Sequence, residues 1–137
     1  MILVDTSVWL LALRRKPKDL APWESRLTEA LFRIVNENRA QMVGVVRQEL
    51  LSGIREDSQF RRLRDYLKDF SDAPVNADDC EEAARAGNRC RQSGIAASPI
   101  DMILCAIALR QDWEIFTIDR DFVRYRDVLK IRLLSAA

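Results

Sequence analysis

The chain has no histidine among its 137 residues. This removes Ser-His-Asp and Cys-His nucleophile systems, histidine general bases and histidine-rich zinc sites together, and leaves carboxylates to carry any hydrolytic or metal chemistry. Cysteine is scarce. Cys80, Cys90 and Cys105 show no metal-like pair spacing, and an odd number without a signal peptide fits reduced, buried or half-buried thiols. Long apolar runs are missing too: Met1-Ile2-Leu3-Val4 meets Asp5 at once, too short for a leader or a membrane span. The expected location is therefore the cytoplasm, with no membrane partner. Nor is there an excess of charge. The 22 basic and 21 acidic residues leave a net charge of +1, so any surface for nucleic acid must be local.

What is present describes an ordinary globular chain, 48% hydrophobic and 31% charged, of a size that fits one domain over residues 1–137. No repeat or linker interrupts it. Strand and helix patterns alternate along most of its length. Ile2–Val4 is a short apolar run expected as a buried strand, followed by a helix through about Arg14 that Thr6 or Ser7 could cap. A helical pattern runs from about Trp23 to Asn36, a second strand is expected over Gln41–Val45, and a helix over Arg47–Leu51 that places Glu49 in its first turns. Further helices are expected over 58–70, 78–92 and 99–109, with strands at 73–75, 114–117 and 130–134 and a short helix at 119–125. This order implies an α/β fold: a mainly parallel sheet of about four or five strands flanked by helices.

In open α/β sheets the functional crevice lies beyond the carboxyl ends of the strands. Asp5 directly follows the first strand, Glu49 comes just past the second, and Asp119 closes Phe116-Thr117-Ile118. Asp101 joins them as the lone acid of Pro99–Leu109, a helix otherwise apolar all round. Each acid has a structural explanation as well. Asp5 can simply cap the following helix, Ser98-Pro99-Ile100-Asp101 resembles a capping box, Glu49 can be a solvated helix residue, and Asp119 and Asp121 sit where first-turn acids are common. Joint placement favours function, since capping acids have no reason to follow strands that a parallel sheet brings to one edge.

Two carboxylates about 4 Å apart repel by roughly 4 kcal/mol at an effective dielectric near 20, so a cluster calls for a cation. Oxygen-only ligands favour Mg²⁺ or Mn²⁺. Such ions polarise a phosphodiester, lower the pKa of an attacking water and stabilise a leaving oxygen.

Four segments, Ile2-Leu3-Val4-Asp5-Thr6-Ser7, Gln48-Glu49-Leu50-Leu51-Ser52-Gly53, Pro99-Ile100-Asp101-Met102-Ile103-Leu104 with Ala106, and Thr117-Ile118-Asp119-Arg120-Asp121-Phe122, together resemble the PIN domain, in particular the VapC-type toxins of toxin-antitoxin systems. The resemblance spans essentially the whole chain. It implies a Mg²⁺- or Mn²⁺-dependent endoribonuclease with Asp5, Glu49, Asp101 and Asp119 as its acidic quartet, Asp121 as a less regular fifth acid, and Thr6, Ser7 and Thr117 as supporting hydroxyls. It also implies an RNA substrate, a homodimer, a small antitoxin partner, and operator DNA bound through the antitoxin complex. Ile118 departs from the polar or basic residue that relatives often carry there.

Arg14, Arg15, Lys16, Arg85, Arg89 and Arg120 are candidates for RNA phosphates, against the commoner role of solvated surface. Trp23, Phe60 and Trp113 are candidate interface residues, and the helices between Trp23 and Phe70 are where an antitoxin is expected. A haloacid-dehalogenase-like enzyme would need an aspartate where Ser7 stands, and a toprim-like nuclease a glutamate in place of Asp5. The remaining alternative is a PIN-like module that binds RNA or protein without cleavage.

Overall fold

The computed structural model describes residues 1–135, so the last two residues of the expected 1–137 unit lie outside the described residues. In chain order the elements are β1 (Ile2–Val4), α1 (Thr6–Arg14), a 3₁₀ turn (Pro17–Asp19), α2 (Pro22–Asn36), β2 (Ala40–Gln41), α3 (Gly44–Leu51), α4 (Asp57–Leu67), α5 (Ala77–Gln92), α6 (Pro99–Gln111), β3 (Glu114–Phe116), α7 (Asp121–Val128) and β4 (Arg132–Leu133). The strands form one four-stranded sheet in the order β2-β1-β3-β4. Every pairing is parallel: Ile2 faces Ala40 on one side and Glu114 on the other, and Ile115 faces Leu133. The α/β class and the parallel sheet expected from the sequence are therefore present, with four strands among the described residues.

The central position of β1 explains its composition. Ile2, Leu3 and Val4 are all buried, because helices cover both faces of the sheet and no polar side is needed. Their neighbours Ile115 and Phe116 are buried for the same reason. In α6, Met102 and the run Leu104–Ala108 are buried, and small residues of α5, among them Ala83, Ala86 and Gly87, allow the two helices to lie close. A Cβ on Gly87 would lie 3.5 Å from the Met102 side chain.

Three local expectations are corrected. The segment Ala73–Val75 is not a strand: the preceding Asp72 makes one isolated parallel bridge with Met42, and Ala73 N–H donates to the Met42 carbonyl at 2.8 Å. Pro74 then has no N–H to extend a ladder. The expected strand Gln41–Val45 is split, because Val43 is the N-cap residue of α3 and its carbonyl accepts from Val46 and Arg47. α3 thus starts earlier than expected, and Glu49 falls in its second turn. Finally, α7 begins at Asp121 rather than Asp119, which leaves Asp119 in the loop after β3.

Candidate metal centre

All strands being parallel, their carboxyl ends meet at one edge, and the chain leaves β1 there at Asp5. This aspartate is buried, only 5% exposed, and the hydrogen bonds it accepts among the described residues fall on Oδ2: from Ser7 Oγ at 2.7 Å, Thr117 Oγ1 at 2.8 Å and Ser7 N–H at 3.4 Å. The cap uses one oxygen, so it does not by itself occupy Oδ1. A hydroxyl has a single proton, and with those of Ser7 and Thr117 given to Asp5 each oxygen is left to accept. They accept backbone N–H groups from the next loop, Ile118 onto Ser7 Oγ at 3.1 Å and Asp119 onto Thr117 Oγ1 at 3.0 Å. The two hydroxyls thus tie the β3–α7 loop to β1.

The same loop presents Asp119, whose Oδ1 accepts the Asp121 N–H at 2.9 Å and closes the turn into α7. Carboxylate oxygens of Asp101, Asp119 and Asp121 lie within 4.8 Å of one another. Asp121 also lies 3.4 Å from Arg124 through an exposed contact. Asp5 and Glu49 stand outside this tight trio but within its field. The Asp101 carboxyl is pushed up from 3.8 to about 6, chiefly by burial, with the charges of Asp5, Asp119 and Glu49 adding to the rise and a hydrogen bond from Tyr125 opposing it. Glu49 is exposed and held by Thr6, whose Oγ1 donates to Oε1 at 2.8 Å.

The capping box expected at Ser98-Pro99-Ile100-Asp101 is half formed. Ser98 Oγ accepts the Asp101 N–H at a long 3.4 Å, but the Asp101 carboxylate accepts from the Tyr125 hydroxyl at 2.9 Å. Tyr125 is a site residue the sequence reading missed. Its signal was faint: an aromatic near the end of a short helix, 24 residues from its partner. Thr6 and Glu49 lie still further apart in sequence, at 43 residues.

The donors form an all-carboxylate set, which matches the preference of hard divalent cations for oxygen and lacks the nitrogen and sulfur that zinc favours. A cation would also relieve the like-charge repulsion that adds to the effect of burial on Asp101. Of the expected basic residues, Arg14 donates to the carbonyls of Leu50 and Ser52, Arg15 pairs with Glu24 at 2.9 Å, and Arg85 lies 3.6 Å from Glu82. Among the described residues Lys16, Arg89 and Arg120 have no ion-pair partner.

A parallel four-stranded sheet with carboxylates converging from β1, α3, α6 and the β3–α7 loop defines an α/β protein with an acidic strand-end site. The chain matches the PIN domain family over residues 2–128 and belongs to that family. No curated protein matches it in sequence. Among solved structures it is similar to FitAcB from Neisseria gonorrhoeae, with a TM-score of 0.76, 18% identity, and 99% of this chain and 98% of the other covered. It is also similar to VapBC2 from Rickettsia felis, bound to a DNA fragment from their promoter, with a TM-score of 0.75, 15% identity and 98% of each chain covered. VapBC-1 from nontypeable Haemophilus influenzae aligns with a TM-score of 0.68, 17% identity, and 99% of this chain and 98% of the other covered. At these identities the fold is what is shared.

Proposed function

We propose that this protein is a divalent-metal-dependent endoribonuclease and the toxin of a VapBC-type toxin-antitoxin pair. The observation that carries the reading is the meeting of Asp101, Asp119 and Asp121 at the strand-end edge of a PIN fold, with Asp5 and Glu49 within electrostatic reach. Asp101, Asp119 and Asp121 would hold Mg²⁺ or Mn²⁺, with Asp5 and Glu49 completing the site. When bound, such an ion supplies charge neutralisation at a phosphodiester and makes water a competent nucleophile near neutral pH.

The chain's own groups do the positioning. Ser7 and Thr117 fix the Asp5 carboxylate through Oδ2 and bring the loop bearing Asp119 to it. Thr6 restrains Glu49 while leaving it at the surface, where it can accept a proton from an incoming water. Arg120, exposed between two of the acids, is placed to meet a phosphate that the acids alone would repel.

The toxin role draws support from fold neighbours that are toxin-antitoxin complexes, some of them bound to DNA. The partners that follow are RNA as substrate, a small antitoxin, a second copy of the chain, and operator DNA through the antitoxin. The exposed Trp23, 50% accessible, is the strongest of the three expected interface residues, Phe60 and Trp113 being half-buried. Among the described residues no helix is long and apolar enough to cross a membrane, and a cytoplasmic setting is part of the proposal.

The test is cleavage of a mixed RNA pool by purified, antitoxin-free protein in EDTA, Mg²⁺ or Mn²⁺, beside Asp101→Asn from the same strain. Metal-dependent cleavage that vanishes in the variant is expected. Absence of cleavage by folded wild-type protein on any RNA moves the reading to a PIN module that binds without cutting.

A further inference from the structure

Tyr125 is 1% exposed and lies on α7 with its ring edge-on to Phe122, centroids 5.3 Å apart. A phenylalanine would fill that space equally well, so packing does not account for the hydroxyl. Buried phenols need partners. Here the phenol donates its proton to Asp101 Oδ2 at 2.9 Å. Asp101 is its acceptor among the described residues, and burial denies the O–H water as an alternative.

The same pairing explains why the Asp101 capping box stays half formed. The carboxylate takes the phenol's proton instead of turning back onto its own helix, and it stays within reach of Asp119 and Asp121. We propose that Tyr125 is a positioning residue, whose hydroxyl holds the Asp101 carboxylate in the orientation that completes a divalent-cation site; this rests on the acidic cluster being such a site. A carboxylate has about four lone-pair positions, and the phenol uses one of them.

The chain contains two tyrosines, which makes the inference testable in the wild-type protein. Tyr66 lies on α4, half open to solvent, and serves as the internal reference. With ¹³Cζ-labelled tyrosine, Mg²⁺ titration is expected to move the Tyr125 resonance along the isotherm measured by calorimetry while Tyr66 stays still. Tyr125→Phe is expected to weaken Mg²⁺ binding by about tenfold, the range for partners that orient a ligand, with its circular dichroism unchanged. A variant that binds Mg²⁺ within twofold of wild type overturns the inference, whatever its thermal stability. Should Tyr125→Phe fail to fold, a wild-type Tyr125 signal that stays fixed at Mg²⁺ saturation overturns it equally. Wild-type protein that binds no divalent cation sinks the metal reading itself, and this inference with it.

Discussion

Asp101 is held against its own preference: it is half-buried among like charges, and its carboxyl is pushed up to about 6. Asparagine is nearly the same shape, keeps an acceptor for Tyr125 and carries no charge. Asp101→Asn is therefore expected to stabilise the protein in EDTA, by about 1 kcal/mol for one screened like-charge contact, seen as a rise in the midpoint of thermal unfolding. In the same variant metal-dependent cleavage should fall by on the order of 100-fold or more. A lower midpoint in EDTA would show that Asp101 is a structural cap and not a frustrated ligand. Thr6 offers a gentler contrast. Thr6→Val removes the donor to Glu49 Oε1, at a net cost of about 1 kcal/mol, and leaves the Asp5 hydrogen bonds in place. Cleavage should drop while Mg²⁺ affinity, measured by calorimetry, changes little, because Glu49 stands outside the tight trio.

At the scale of elements, α3 carries Glu49 and is anchored by Arg47, two residues earlier. The Arg47 guanidinium reaches the Leu67 carbonyl at 2.8 Å, the Phe70 carbonyl, and Asp72 at 2.8 Å, tying α3 to the end of α4 and to the segment that follows. Arg47→Ala would orphan two carbonyls and a carboxylate, and a loss of roughly 2–3 kcal/mol in urea unfolding is expected. Arg47→Lys should recover little, since one ammonium cannot span three acceptors set in a fork. This clamp was hidden in the sequence because its partners lie 20 to 25 residues away and two of them are backbone. The same reason hid Tyr125, whose direction depends on how α7 is rotated against α6. Asp5 and Asp119 were legible because they end apolar runs, and Asp101 because a lone acid interrupts an apolar helix. Boundaries read less well where one residue decided them: Pro74 stopped a strand, and Val43 began a helix inside an expected one.

The whole molecule couples its acidic edge to its stability through linkage. For Asp101 the unfolded chain releases its proton near 3.8 and the folded chain near 6, so between these values the folded state binds more protons. Stability from this group is thus greatest below the lower value, declines as pH rises through the window and is lost above about 6. On the proposed function a divalent cation would reverse the trend, because it would bind the deprotonated cluster and only the folded state assembles that cluster. At a free concentration a hundred times its dissociation constant it adds about 2.7 kcal/mol, which for a domain of this size is a rise of about 10 °C in the unfolding midpoint. The increment from Mg²⁺ should accordingly be small at pH 4.5, grow across the window and level off by pH 7.5. Asp101→Asn, measured in parallel, should show a weaker increment with a flatter pH dependence, since the groups the two proteins share cancel in the comparison. An increment equal at both ends of the range, in wild type and variant alike, would place the cation elsewhere on the surface and detach the strand-end acids from it.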